Sequence, residues 1–182
     1  DILEYTDEEM AVTYLEEMSL KKAAAILSRT ETNILAEILQ HFDKEKRRLL
    51  IELLDDEARH DIEMINSFDE EEIGSRMTTN YIVIQDHLSV KEAMSSLVSQ
   101  AAQNDNISTI FVVNSNQEFY GAIDLKDLIR ARENDHLEDL VLKSYPYVTD
   151  HEKIDDCMDR ILDYAEDSIP VLSEDKKILG VI

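Results

Sequence analysis

The chain has 182 residues, with 41 acidic against 18 basic side chains and a net charge of −23. An acidic excess this large argues against nucleic acid as a partner, since phosphate binding needs a basic footprint, and against an anionic membrane surface for the same reason. Hydrophobic residues make up 43% of the chain, enough for one or two folded domains, so the charge does not signal disorder.

A single cysteine, Cys157, rules out an internal disulfide, and its apolar helical phase marks it as a small buried hydrophobe. No apolar run approaches the roughly 18 residues of a membrane span, and no signal peptide is visible. The chain reads as a soluble piece from a reducing compartment, cut at both ends. Asp1 is not preceded by Met, and Ile182 stops inside an apolar strand pattern.

Residues 1–70 read as a helical domain, incomplete at its start. Thr6 and Glu9 form a capping-box pattern, followed by Ala11, Tyr14, Leu15 and Met18 at helical spacing. Ser19 is the next start signal, leading Leu20, Ala23, Ala24 and Leu27. Thr30 or Thr32 starts a third helix, with Ile34, Leu35, Ile38, Leu39 and Phe42 on one face. Asp43 starts a fourth with Leu50, Leu53 and Leu54. Asp55 or Asp56 starts a fifth with Ala58, Ile62, Ile65 and Phe68. Such short helices are unstable alone, so they must stack into a superhelical array of helix pairs.

Residues 71–76 read as the junction. The carboxylates of Asp69 to Glu72 repel and extend the chain, and Gly74 is free to take positive φ.

Residues 77–136 and 137–182 read as two copies of a β-α-β-β-α unit, the second incomplete at its end. In the first, Tyr81 to Ile84 is a strand and Ser89 caps a helix carrying Val90, Ala93, Met94 and Leu97. Then Ile110 to Val113, a polar turn from Asn114 to Glu118, and a strand through Gly121 and Ile123 lead to Asp124. Asp124 opens a helix with Leu125, Leu128 and Ile129 on its apolar side. In the second copy Tyr147 and Val148 are the strand, and Ile154, Cys157, Met158 and Ile161 repeat the helix phase. Ile110 to Ile123 aligns without a gap on Ile169 to Ile182, placing Gly121 on Gly180. A repeat of this kind decides the fold class: α+β and multi-domain, a helical array followed by a tandem pair.

The duplicated unit resembles a CBS-domain pair, through the Pro-containing strand Ile169-Pro-Val and the run Gly121-Ala-Ile-Asp-Leu-Lys-Asp127. Acidic helices leading through Phe68-Asp-Glu-Glu-Glu-Ile-Gly-Ser-Arg-Met77-Thr resemble the cytosolic N domain and junction of MgtE-type magnesium transporters. The resemblance implies a homodimer formed through the CBS pair and Mg²⁺ held between acidic surfaces. Metal then keeps a membrane pore closed through a connecting helix that follows. It places the chain on the cytoplasmic face of the cell membrane, its own membrane domain lying outside it.

The family's metal-binding Ser-Leu-Asp-Asp-Leu-Ala-Asp stretch aligns here with Met18-Ser-Leu-Lys-Lys-Ala-Ala-Ala25, so Lys21 and Ala25 stand where carboxylates are expected. A lysine there opposes cation binding. The family's Tyr-Asp before the Pro strand is Tyr164-Ala165 here, with acid displaced to Asp163, Glu166 and Asp167. The acidic pair opening the preceding helix is kept as Asp155 and Asp156. The implied metal ligands are therefore Asp155, Asp156, Asp163, Glu166 and Asp167. CBS pairs also bind adenine nucleotides such as ATP. The resemblance puts Asp127 on the ribose and Lys126 near phosphate, with Asp124 in place of a Ser/Thr, where its charge opposes phosphate. The plainer reading of Asp124 is a helix cap, and of the acidic runs, solvated helix N-termini.

The five histidines show no paired metal-ligand spacing, and no phosphate loop, His-Glu-x-x-His or nucleophile elbow occurs, so an enzyme is not expected. Two alternatives to the transporter region stand. One is a soluble adenine-nucleotide-sensing CBS protein with a helical adaptor domain; the other is a scaffold with vestigial CBS units. Further apolar runs of about 20 residues past Ile182 would separate the first reading from the second.

Overall fold

The computed structural model describes residues 8–132, 134–164 and 166–182. The chain divides into two compact units: one runs to Glu70 and takes back Ser75–Thr79, and the other comprises Glu71–Gly74 and Asn80–Ile182.

The first unit is a stack of short helices, α1 (Glu8–Glu16), α2 (Leu20–Leu27), α3 (Thr32–Gln40), α4 (Lys44–Leu53) and α5 (Asp56–Ile65). Each packs on the helix two places along the chain: α1 on α3, α2 on α4 and α3 on α5. Starts follow the cap chemistry at two positions. The Asp43 carboxylate accepts the Glu45 and Lys46 amides, both at 3.0 Å, and Asp55 accepts the Ala58 amide at 2.9 Å. Ser19 holds the cap position of α2 without a side-chain bond. Glu31 caps α3, making Thr32 its first helical residue, while the Thr30 hydroxyl donates back to the Ile26 carbonyl at 3.2 Å. The expected cap at Thr6 lies outside the described residues.

The buried seam is narrower than the sequence stripe. Ala11, Leu15, Leu27, Leu35, Leu39, Leu50 and Ile62 are buried, but Tyr14 of α1, Met18 just past its end and Leu53 of α4 are exposed. In helices of about ten residues a single i, i+4 row meets each neighbour, and the next apolar row faces outward.

The second unit contains two three-stranded sheets. The first holds β1 (Ile82–Gln85), β2 (Thr109–Val113) and β3 (Phe119–Asp124), with α6 (Val90–Gln100) and α7 (Leu125–Arg130). The second holds β4 (Val148–Thr149), β5 (Pro170–Leu172) and β6 (Ile178–Val181), with α8 (Ile154–Asp163). In each sheet the first pair is parallel and the second antiparallel. Ser89 and Glu92 complete a full capping box on α6. β1 and β4 each begin one residue later than the sequence pattern suggests.

The repeat is exact in its irregularities as well as its strands. Register shifts fall between Val112 and Val113 and again between Val171 and Leu172. The two polar turns close alike: Asn114 N donates to Glu118 O and Ser173 N to Lys177 O, each at 2.9 Å. Each turn needs one left-handed residue, Gln117 (φ 65°) and Lys176 (φ 59°).

β2 is buried on both faces. Ile110 and Val112 point into the core of the first repeat with Ile82, Ile84, Leu97 and Leu128. Phe111 points the other way, as strand alternation requires, and packs with Ala122, Tyr145 and Val181. Its ring lies 6.2 Å from Tyr81, 6.4 Å from Phe119 and 6.0 Å from Tyr145. The repeats are further tied by Phe119 N donating to Lys176 O at 2.8 Å and by the Asn106 side-chain amide donating to the Ser168 hydroxyl at 3.2 Å.

Gly121 is needed for close approach. A Cβ there would lie 2.6 Å from Val141 Cγ1 and 2.7 Å from the Leu142 carbonyl oxygen, because Leu142 pairs beside it with Ala122.

Three expectations are corrected. Ile129 of α7 is 63% exposed and Met158 of α8 is 37% exposed; in these helices only Leu128 and Cys157 are buried. Burial also pushes the Cys157 thiol up, keeping it protonated. Gly74 does not take positive φ but lies buried in a 3-10 turn, Ile73–Arg76. Nor do all the junction carboxylates extend into solvent by repulsion: Glu72 makes an antiparallel bridge with Lys153. Among the described residues no helix is long and apolar enough to cross a membrane.

Truncating Phe111 to Ala should cost about 3–5 kcal/mol in denaturant unfolding, and Gly121→Ala about 1–3 kcal/mol through overpacking. Burial pushes the Tyr145 phenol up to about 12, against a hydrogen bond from Thr109 that lowers it, with Glu166 adding to the rise. Its contribution is therefore complete below the unfolded tyrosine value near 10 and is lost as pH rises towards 12. Alkaline unfolding curves of Tyr145→Phe should lack that part of the pH dependence.

Candidate functional site

The five candidate carboxylates of the second repeat lie, by chain position, at the two ends of α8. Asp155 and Asp156 occupy its first turn, where carboxylates favour the positive end of the helix dipole, and both are exposed. Asp163 is its last residue, and Glu166 and Asp167 follow, exposed, before β5. At a rise of 1.5 Å per residue the two groups stand roughly 10–12 Å apart along the axis. Among the described residues, no three His, Cys, Asp or Glu side chains converge closely enough to hold a metal. Ala165 lies outside the described residues.

The neighbouring carboxylate Glu152 is committed to structure. It accepts the Thr149 amide at 2.8 Å and pairs with Arg160. Burial pushes its carboxyl up, but the Thr149 amide and the Arg160 guanidinium outweigh that and hold it low. Lys153, at the cap position of α8, is held charged by Glu71, at 3.1 Å, with Asp156 and Asp155 adding to the effect. The carboxylates that remain in solvent are the ones a hydrated cation could reach. In the first unit Lys21 and Ala25 are exposed on α2.

Asp124, Lys126 and Asp127 meet at the start of α7, all exposed. The Asp124 carboxylate accepts the Lys126 amide at 2.7 Å, and so caps the helix. Leu125 N donates to Ser108 O at 2.9 Å, fixing the strand-to-helix turn against the loop before β2.

A polar constellation that the sequence pattern did not mark lies nearby. The Tyr120 hydroxyl and Lys143 Nζ both donate to Glu138 Oε1, at 3.0 and 2.7 Å, and Lys143 sits 5.0 Å from the centre of the Tyr120 ring. The Lys143 ammonium holds the Glu138 carboxyl below its usual range. Asp86, His136 and Asp139 line the same cavity, of about 550 Å³. No motif links these residues, which come from three separate stretches. A second, apolar groove of about 320 Å³ runs between α6 and α7, lined by Val90, Met94, Leu128 and Ile129.

Residues 1–71 match the family described as the MgtE intracellular N domain, and residues 71–134 and 137–182 match the CBS domain. The magnesium transporter MgtE of Thermus thermophilus is 29% identical over 154 residues, covering 81% of this chain and 34% of that protein. MgtE of Bacillus subtilis is 23% identical over 185 residues, covering 100% of this chain and 40% of that protein. The chain thus spans between about a third and two fifths of the length of these relatives. Among solved structures, the soluble part of a magnesium transporter is 28% identical with a TM-score of 0.89, covering 96% of this chain and 68% of that one. The cytosolic domain of the Mg²⁺ channel MgtE in complex with ATP shares the fold, at 24% identity and a TM-score of 0.87, covering 100% and 74%. With its helical stack, its two matching sheets and these matches along its whole length, the chain belongs to the CBS-domain family, in the MgtE arrangement of an intracellular N domain followed by a CBS pair.

Proposed function

We propose that the chain is the cytosolic Mg²⁺-sensing and gating region of a divalent-cation transporter or channel. The observation that carries this is the continuous likeness, over 96% of the chain, to the soluble part of a magnesium transporter. The physics agrees with it. At a net charge of −23 the folded chain repels itself, and a few bound Mg²⁺ ions would offset that repulsion in the state whose carboxylates converge. Mg²⁺ keeps several waters and needs few protein oxygens, so exposed, unconverged carboxylates suit it.

The ligands in this reading are Asp155 and Asp156 at one end of α8, and Asp163, Glu166 and Asp167 at the other. Each group is a half-site completed by oxygens beyond it, since α8 holds the two apart. Residues 1–70 form the helical N domain in this reading, 71–76 the junction, and 77–136 and 137–182 the CBS units. A homodimer through the CBS pair accounts for the apolar side chains of Val98, Ile129 and Leu162, which are 66%, 63% and 73% exposed. A membrane domain following the chain would be the gated element, which places this region on the cytoplasmic face of the membrane.

Calorimetry and limited proteolysis of the cytosolic region, extended through its connecting helix, test this. Millimolar Mg²⁺ should bind and slow cleavage. Asp155→Asn with Asp156→Asn, and separately Asp163→Asn with Asp167→Asn, should each weaken binding. Absence of heat together with unchanged cleavage would defeat the sensing reading.

A second ligand, ATP, is favoured by the exposed grouping of Lys126 and Asp127 at the start of α7 and by the ATP complex of the structural relative. Here Asp124 weakens binding by repelling phosphate. Asp124→Ser, which keeps a capping oxygen, should tighten ATP binding, and Asp127→Ala should weaken it, both read by calorimetry. If Asp124→Ser leaves affinity unchanged, the repulsion argument is wrong.

A further inference from the structure

The acidic run before the first repeat does not act as a simple linker. Glu71–Gly74 lies as an extra strand-like strap on the turn between β4 and α8, within the same compact unit. Ile73 N donates to Glu152 O at 2.8 Å, Gly74 N to Asp150 O at 3.0 Å, and Ile154 N to Glu71 O at 2.9 Å. Ile73 is 1% exposed, so the strap is anchored by one apolar side chain as well as by its backbone. The chain then leaves this unit at Ser75. Ser75–Thr79 belongs to the helical unit, where the Thr79 hydroxyl donates to Asp61 Oδ2 at 2.7 Å and meets the Thr32 hydroxyl at 2.8 Å.

Two cations hold the outer edge of the strap. Lys153 Nζ lies 3.1 Å from Glu71 Oε2, and His151 Nδ1 lies 2.9 Å from Glu72 Oε1. The lysine stays charged at any physiological pH, but the histidine does not. Carboxylates that face His151 include Glu72 on the strap, Asp150 beside it, which accepts the His151 amide at 3.0 Å, and Glu174 from the turn between β5 and β6. Loss of the imidazole charge removes its Coulomb attraction to these carboxylates at the place where the strap is held.

We propose that the Glu71–Gly74 strap is a proton-responsive latch, closed on the second repeat when His151 is charged and loosened when it is neutral. The hydrogen bond to Glu72, followed by the charge of Asp150, raises the His151 pKa above its ordinary value. The sign follows: the stabilisation is complete below the unfolded-state histidine value and is lost as pH rises through the raised one. Acidification would thus tighten the point at which the chain passes from the CBS pair to the helical unit. The latch rests on contacts within the CBS unit and does not depend on metal binding, so it can fail while Mg²⁺ sensing stands, and the reverse.

Amide hydrogen exchange of the intact chain, read by NMR alongside the His151 ring titration, tests it. Protection of Ile73, Gly74 and Ile154 should fall together as His151 loses its proton, while the β2 amides stay unchanged. By linkage, the fall should equal ten raised to the difference between the His151 pKa in the native chain and in Glu72→Gln. His151→Lys should keep protection high and flat with pH, and His151→Gln should keep it low and flat. Constant protection across the His151 transition, a native pH profile in His151→Gln, or an equal fall in β2 would each overturn the latch.

Discussion

The structure of the CBS pair depends on one strand being buried on both sides. β2 turns Ile110 and Val112 into the first repeat and Phe111 towards the second, so a single five-residue run supplies two cores. The rings of Tyr81, Phe119 and Tyr145 close around Phe111 at edge-to-face or tilted angles, the arrangement that aromatic quadrupoles favour. Each repeat alone has only three short strands and a few small helices, too little to bury a stable core. Packing the repeats back to back through this aromatic seam is what makes either of them rigid enough to present charged helix ends in fixed positions.

That rigidity sets how the acidic surface behaves. Carboxylates needed for folding are already satisfied: Glu152 by Thr149 and Arg160, Asp124 as a cap, and Asp43 and Asp55 at helix starts. The acid at both ends of α8 is left in solvent. Such a surface is stable as it stands and costs Coulomb energy when another acidic surface approaches it, a cost that a divalent cation removes. The cation sensing proposed for this region would require no preformed cage, only charge held where surfaces meet.

Much of the fold was legible in the sequence because it is written twice. The gapless alignment of Ile110–Ile123 on Ile169–Ile182 carries the strands and polar turns, and the structure adds matching bulges and left-handed residues at Gln117 and Lys176. Asp43 and Asp55 mark their helices because a side-chain oxygen at that position has a definite backbone partner. What stayed hidden depends on tertiary partners. Tyr14, Met18, Leu53 and Ile129 have the right phase to be buried but face outward, because periodicity reports which residues share a face and not how wide a neighbour covers it. The strap at Glu71–Gly74 was invisible because its partners lie far along the chain, and four consecutive acids give no sign that Lys153 and His151 will meet them. The sequence also identifies the acidic residues around α8 without showing their separation, which follows only from where the helix begins and ends.

The central claim is that Mg²⁺ draws this acidic region into a more compact state by neutralising carboxylates that otherwise repel. Small-angle X-ray scattering of the cytosolic region, titrated with Mg²⁺ at constant ionic strength, measures this directly. The radius of gyration should fall over the millimolar range and return on chelation, with no change in a matched potassium titration. A scattering profile identical at zero and saturating Mg²⁺ would contradict it.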